Sequence, residues 1–302
     1  MSRIDVRTAS LLTVPPLLWA GNAVVGALVV GAIPPLALNA ARWALALLIL
    51  LPLGWRVLGH PRALLERWRH FALIGLIGIG SYNAFQYYAL RTSSPVNVTL
   101  IAAAAPVWMV LVGRVGYGVR PSWRQGAGAA LSVLGVFAVL SRGSLATLLA
   151  MRFVAGDLFM LAAGFVWAIY SWMLARPPES MCGERRPKWN WAELLTAQLV
   201  FGAAWAIAAA LVEWTFGPQY GPFTPKLALA VLFVAFGPAV IAYWAWGAGV
   251  ARVGPTIAAL FSNLTPLFAA LLALLMLGQA PRWYHAVAFA FIAGGIVVST
   301  RR

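Results

Sequence analysis

The sequence predicts an all-α integral membrane protein of ten transmembrane helices, arranged as two inverted five-helix repeats. Three observations carry that expectation. Of 302 residues, 62% are hydrophobic and 10% charged, where soluble domains run at about 45–50% and about 25%; the mean hydropathy of +0.84 agrees. The apolar residues come in blocks of the ~20 residues that cross hydrocarbon, not in the short alternating runs of a membrane barrel. Prolines and tryptophans also recur at a fixed spacing between the two halves of the chain.

The apolar blocks predict spans over Ala9–Val30, Pro34–Leu53, Phe71–Leu90, Val96–Val112 and Gln125–Leu140. A second set runs over Leu158–Leu174, Trp191–Val212, Leu227–Val250, Pro255–Leu277 and Tyr284–Ser299. Spans three and four are parted only by residues 91–95, and spans eight and nine only by 251–254. A single helix through either break would far exceed a hydrocarbon core of ~30 Å. Arg3 and Arg7 precede the first block as in a signal peptide, but the block continues to about Val30 with no Ala-x-Ala cleavage pattern. It is therefore expected to stay as the first span.

Lys and Arg set the orientation. With the N-terminus inside, sixteen of the 22 fall in internal segments and five in external ones, while Arg42 lies within span two. Both termini are expected in the cytoplasm, in a multi-pass protein of the cell inner (plasma) membrane. The net charge of +15 would suggest nucleic acid in a soluble chain. Here the basic residues fill the gaps between apolar blocks, so the lipid bilayer is the expected partner and nucleic acid is not.

The repeat is read from positions. Pro95, Pro106, Pro121 and Trp123 recur as Pro255, Pro266, Pro281 and Trp283, each 160 residues on, and Gly135 recurs as Gly295. Trp19-Ala20 recurs as Trp167-Ala168, 148 residues on. The expected division is a first repeat over 1–141, a linker over 142–155 and a second repeat over 156–302. Five spans is an odd number, so the second copy must enter the membrane from the opposite side. Secondary transporters recur with that architecture; some channels carry it too, and duplication alone leaves both open.

With Trp19-Ala20-Gly21-Asn22 in span one, Arg42 in span two, and the Pro106 and Pro266 helices each followed by a Pro-x-Trp turn, the chain resembles the EamA family of the drug/metabolite transporter superfamily. The resemblance runs from Ala9 to Ser299. Within the family it is most similar to bacterial exporters of aromatic amino acids of the YddG type. What it implies is an exporter of amino acids or similar small metabolites. Many members carry an acid after the fourth and ninth spans, where this chain has Gly116-Tyr117-Gly118 and Gly278-Gln279.

Polar groups inside hydrocarbon are costly unless paired or wet, so their positions trace a candidate solute path. Trp19 and Asn22 share a helix face; Tyr82, Asn83, Gln86 and Tyr87 make a stripe in span three; Trp167, Tyr170 and Ser171 do the same in span six. Trp108 lies within span four, Tyr243, Trp244 and Trp246 in span eight, and Ser262, Asn263 and Thr265 stand just before Pro266. The candidate substrate-binding set is Trp19, Asn22, Arg42, Tyr82, Asn83, Gln86, Trp108, Trp167, Tyr170, Tyr243, Trp246 and Asn263. Its members either wall a central cavity for an amino-acid-like solute or bridge neighbouring helices. The interfacial belt claims Trp55, Trp68, Trp123, Trp189, Trp191, Trp214 and Trp283.

Arg42 is the one formal charge well inside a span. It is read as the partner of a substrate carboxylate, as a structural cap on carbonyls, or as a side chain snorkelling toward an interface. Pro106 and Pro266 are candidate matched hinges. Gly126/Ala130 and Ala286/Ala290 are small-residue pairs that would pack span five on span ten or form a homodimer. Asp157, Glu193 and Glu213 all fall at span ends, so facilitated diffusion or exchange is expected and transport is not obligatorily proton-driven, with His285 and Glu213 as the groups that could titrate. The lone Cys182, three scattered histidines and absence of HExxH, GxSxG or P-loop patterns speak for neither an enzyme, a metal site nor a cofactor. The alternative within the same superfamily is a drug or organic-cation effluxer, which would want a deep acid.

Overall fold

The computed structural model describes residues 5–29, 31–93, 98, 101–150, 152–217, 224–277 and 282–300. Arg3, Pro95, Gly278, Gln279, Pro281, Arg301 and Arg302 lie outside the described residues. Among the described residues there is no β-strand. The long helices are α1 (Val6–Val29), α2 (Pro35–Gly54), α3 (Trp68–Gly75, Leu76–Ser81 and Tyr82–Thr92 in succession), α4 (Ala105–Tyr117) and α5 (Trp123–Leu140). They continue with α6 (Ala155–Ala175), α7 (Trp191–Phe216), α8 (Pro225–Val234, Ala235–Ile241 and Ala242–Val253), α9 (Pro255–Ser262 and Thr265–Leu277) and α10 (Trp283–Thr300).

Eight of them, all but α3 and α4, are long and apolar enough to cross a membrane. Helix α3 runs unbroken over 68–92, but Tyr82, Asn83, Gln86 and Tyr87 dilute its apolar character. Helix α4 has 13 described residues. The chain is thus an all-helical, multi-pass membrane protein.

Several local features recur 160 residues apart. Both α3 and α8 widen into a π-helical turn, over Leu76–Ser81 and Ala235–Ile241. In α8 the turn contains Pro238, whose missing N–H and bulky ring fit a wider turn better than an α-turn. In α3 the displaced carbonyls are taken by side chains: Gly78 O accepts from the Tyr243 hydroxyl at 2.6 Å and Gly80 O from Asn39 Nδ2 at 3.0 Å.

Pro106 and Pro266 do not bend continuous helices, as the sequence suggested. Each is the second residue of a new helical segment, after a break at 103–104 and at 263–264. A proline ring collides with the carbonyl four residues back, here Ala102 and Ser262, and costs nothing in a first turn. The chain bridges both breaks in the same way, with Ala104 N on Ile101 O at 3.1 Å and Leu264 N on Phe261 O at 3.0 Å. Helices α5 and α10 also start alike: Ser122 N donates to Gln125 Oε1 at 3.0 Å and Arg282 N to His285 Nδ1 at 2.8 Å.

Helix α2 packs along α7 and α5 along α10; α1 lies against α8 and α9, and α6 against α3 and α4. Glycine permits the closest approaches: a Cβ on Gly75 would stand 2.7 Å from Gly202 N, and one on Gly135 2.8 Å from Ala288 O. Gly126, Ala130, Ala286 and Ala290 are all exposed. The α5–α10 seam therefore runs instead through Gly128, Ser132, Gly135, Ala288 and Gly295, on the face opposite the expected pairs.

One face of the bundle carries the loops rich in arginine, 55–67, 117–123, 176–190 and 251–254. Both ends of the described chain lie there, since Arg252 Nη1 donates to Thr8 Oγ1 at 3.3 Å and Ser299 Oγ to Arg124 O at 3.4 Å. The carboxylates at helix ends act as caps. Glu213 Oε2 accepts from Leu36 N and Ala37 N at 2.8 and 3.1 Å. Glu193 accepts from Asn190 N at 2.7 Å. Asp157 takes Val154 N at 2.8 Å and the Ser93 hydroxyl.

Candidate functional site

Three layers stack between the Arg-rich face and the opposite one. The first is a cavity of about 310 Å³ whose lining includes His70 and Arg186 from the Arg-rich face. Trp189, Trp191 and Trp244 form part of its wall, and Tyr170, Tyr243 and Gln198 close its inner end. There the Tyr170 hydroxyl donates to Gln198 Oε1 at 3.1 Å. Burial holds the His70 imidazole below its ordinary value near 6.5, which leaves it neutral at pH 7.

The second layer is aromatic. Trp167, three residues before Tyr170 and four before Ser171 on the same face of α6, is its hub. Its ring lies 5.2 Å from Trp19 of α1, 4.9 Å from Tyr82 of α3, 5.5 Å from Tyr243 and 5.2 Å from Trp246 of α8. The centroid separations and tilts are those aromatic quadrupoles favour. Trp246 Nε1 is satisfied by Ser171 Oγ at 3.1 Å, which in turn donates to Trp167 O at 2.8 Å. These rings meet in the middle of the bundle, and the cavity of about 310 Å³ lies beside them, toward the Arg-rich face.

The third layer is polar and carries a charge. Arg42 is 0% exposed. Its Nη1 donates to Asn83 Oδ1 at 2.6 Å, Asn22 Oδ1 at 3.4 Å and the Tyr87 oxygen at 3.3 Å. Tyr87 donates in turn to Asn22 Oδ1 at 3.2 Å, and Asn22 Nδ2 to Gln86 Oε1 at 3.4 Å. All of these acceptors are neutral. Arg42 Nε and Nη2 and Asn83 Nδ2 are buried with no acceptor. The buried guanidinium pairs with no carboxylate among the described residues, and its hydrogen-bond partners are all amide or phenol oxygens. It stacks 4.7 Å over the Trp43 ring, itself 4.9 Å from Tyr243. The Trp43 and Tyr243 rings thus stand in succession between the charge and the cavity.

A family model for EamA-like transporters matches the chain over residues 7–141 and again over 154–301. The chain belongs to the EamA-like transporter family. Relatives agree. A protein named "Uncharacterized transporter" from Archaeoglobus fulgidus is 25% identical over 99% of both chains. The aromatic amino acid exporter YddG of Ancylobacter novellus is 27% identical over 89% of both. A "Probable terminal-alkyne amino-acid exporter" of Streptantibioticus cattleyicolor is 28% identical over 83% of this chain and 77% of its own. Family and names point to transport, not catalysis.

Of the residues singled out in the sequence, Trp19, Tyr82, Trp167, Tyr170, Tyr243 and Trp246 meet in the aromatic layer, and Asn22, Arg42, Asn83 and Gln86 in the polar one. Trp108 and Asn263 do not join either. Trp108 packs on Phe165 at 5.6 Å and over Gly164, on the far side of α6. Asn263 Nδ2 donates to Ser132 Oγ at 2.9 Å, which ties the α9 break to α5. The sequence reading passed over Trp43, Asn39 and Gln198, although Asn39 and Gln198 obey the same rule of polar groups within an apolar span. It assigned Trp189 and Trp191 to the interfacial belt, because sequence does not tell a tryptophan facing lipid from one facing a loop-covered cavity.

Proposed function

We propose that the protein is a secondary transporter that exports amino acids with aromatic or other apolar bodies by alternating access. One observation carries the reading: Arg42 is fully buried, lacks a carboxylate among the described residues, and keeps two nitrogens unpartnered behind the Trp43 and Tyr243 rings that part it from a solute-sized cavity. A central arginine costs ~2.5–3.5 kcal/mol on insertion scales. A substrate carboxylate would offset that cost and accept from Arg42 Nε, Nη2 and Asn83 Nδ2, while the aromatic layer receives the apolar body. Export of an organic cation fits poorly, because the buried charge would repel it.

The same reading takes α3 and α4 as crossing the membrane, giving ten spans in two inverted halves. The two matched stretches of the family model, the paired π-turns and the paired proline breaks support it. The breaks at 103–104 and 263–264 would serve as hinges, and the Arg-rich face would be cytoplasmic with both termini. Export would then begin from the cavity observed here. The acids at the helix ends are engaged as caps, so flux is expected without an imposed pH gradient.

The test is flux in proteoliposomes for labelled amino acids, organic cations and nucleotide sugars. Saturable, counterflow-stimulated movement of an aromatic amino acid, lost in Trp167→Ala, is expected. Preference for the cations would overturn the substrate class, and non-saturable flux the transporter reading. Sidedness is read from Cys182, the sole cysteine and exposed on the Arg-rich face: an impermeant maleimide should label it only after cells are permeabilised.

A further inference from the structure

The loop over 176–190 does more than connect α6 to α7. Arg67 clamps it from the loop before α3: Nε donates to Ser180 O at 3.0 Å and Nη2 to Arg185 O at 2.8 Å, while Nη1 is held by Ala63 O at 3.0 Å. The next residue, Arg186, follows the clamp directly and is the only arginine in the cavity lining among the described residues. Arg67 is occupied by carbonyls, Arg185 by Glu179 at 3.4 Å, and His70 is neutral. No described carboxylate lines the cavity to compete. The other wall is aromatic: Trp191 stacks near Trp244 at 5.6 Å and Phe71 near Trp189 at 5.8 Å.

We propose that this cavity is a binding site in its own right, a loading station for an aromatic monocarboxylate, with Arg186 as the anchor for the carboxylate and Trp189, Trp191 and Trp244 as the bed for the ring. Its volume of about 310 Å³ falls at the lower end of small-ligand pockets, which run from about 300 Å³. The site is distinct from Arg42. The layer of Trp167, Tyr170 and Tyr243 lies between, so a ligand of this size reaches one cation at a time. Transport then becomes a transfer between two guanidinium stations across an aromatic partition. The inference rests on the amino-acid reading for the class of ligand, but its site and its anchor are separate.

The probe is phenylacetate, titrated against the purified full-length protein in nanodiscs with tryptophan fluorescence as the readout; phenylacetamide serves as its uncharged twin. Saturable quenching by phenylacetate is expected, with about tenfold weaker binding of phenylacetamide, the scale of one charge-assisted contact at a partly wet site. Arg186→Gln should weaken phenylacetate about tenfold and leave phenylacetamide unchanged. Arg69→Gln, which removes a charge from the same face outside the cavity, should shift neither by more than about twofold. An Arg186→Gln protein that binds phenylacetate like the wild type, or a wild type that does not distinguish acid from amide, would overturn the proposal. Should Arg186-dependent binding hold while no amino acid is transported, the loading site stands and the transport reading falls. Should amino acids be transported with no effect of Arg186→Gln on binding, the reverse is true.

Discussion

The core of the chain places two polar trios at corresponding positions, and they differ in charge. In the first half Arg42, the eighth residue of α2, meets Asn22 of α1 and Asn83 of α3. In the second half Gln198, the eighth residue of α7, meets Tyr170 of α6, with Tyr243 of α8 beside it; Tyr170 lies 148 residues after Asn22 and Tyr243 160 after Asn83. The neutral trio ends the cavity toward the Arg-rich face, whereas Arg42, Asn22 and Asn83 are buried beyond the rings, with no described carboxylate paired to the guanidinium. In an alternating-access cycle the costly group would be exposed only when the protein opens the other way, where a bound carboxylate could accompany it.

The largest expected effect breaks this asymmetry directly. Arg42→Gln should reduce saturable flux about a hundredfold, as losing one partner of a buried charged contact costs roughly 2–5 kcal/mol. Its apparent Tm should hold or rise, because a buried charge without an ion partner is removed. Gln198→Leu takes away one neutral hydrogen bond and should slow flux about fivefold, on the ~1 kcal/mol scale of such bonds. Initial rates in proteoliposomes compare them. Equal losses from the two substitutions would mean that the trios do the same work and that charge plays no separate part.

How much of this could be read in advance depends on the kind of signal. The helical fold follows from apolar block lengths, and every apolar block with described residues contains helix. Residues whose polarity is anomalous for their surroundings, Arg42, Asn22, Asn83 and Tyr243, were legible because hydrocarbon makes such groups expensive. Asn263 obeys the same rule yet serves the α5–α9 contact through Ser132, since polarity marks a need for a partner and not the partner's identity. The surroundings of Trp167 were not legible: which rings it meets depends on helix rotation and interaxial distance, which composition does not contain. The proline breaks were foreseen in position but not in form, because α-helical propensity alone does not say that the turn before Pro106 opens completely.

A smaller effect sharpens the contrast between a seam that joins the two halves and a surface outside it. Gly78 lies in the π-turn of α3, and a Cβ there would collide with the Tyr170 ring. Gly78→Ala should lower stability by about 1–3 kcal/mol, the usual range for overpacking, and displace Tyr170 from the end of the cavity. Gly126, on the exposed face of α5, has no atom within 4 Å of such a Cβ. Gly126→Ala should change stability by less than about 0.5 kcal/mol unless a second copy packs there. Denaturant titration in detergent, paired with cross-linking, reads both. A large loss for Gly126→Ala at high protein concentration alone would instead reveal a dimer contact.

The smallest effect concerns the two breaks. At the α9 break Ser262 Oγ donates to Ala259 O and Thr265 Oγ1 to Ser262 O, both at 2.6 Å. At the α4 break the corresponding residues, Ala102 and Ala105, are alanines, and the chain opens there all the same. The hydroxyls are therefore not what opens the turn; the proline ring at 106 or 266, pressing on the carbonyl four residues before it, is sufficient. Ser262→Ala with Thr265→Ala should cost no more than about 1 kcal/mol for lost capping of free carbonyls. It should leave flux within twofold, which makes the α9 break chemically like the α4 break. Pro266→Ala, by contrast, restores a donor for the Ser262 carbonyl and should slow flux severalfold while raising the apparent Tm. If the hydroxyl pair matters more than the proline, the two breaks work by different means, and their shared position would reflect ancestry without a shared mechanical role.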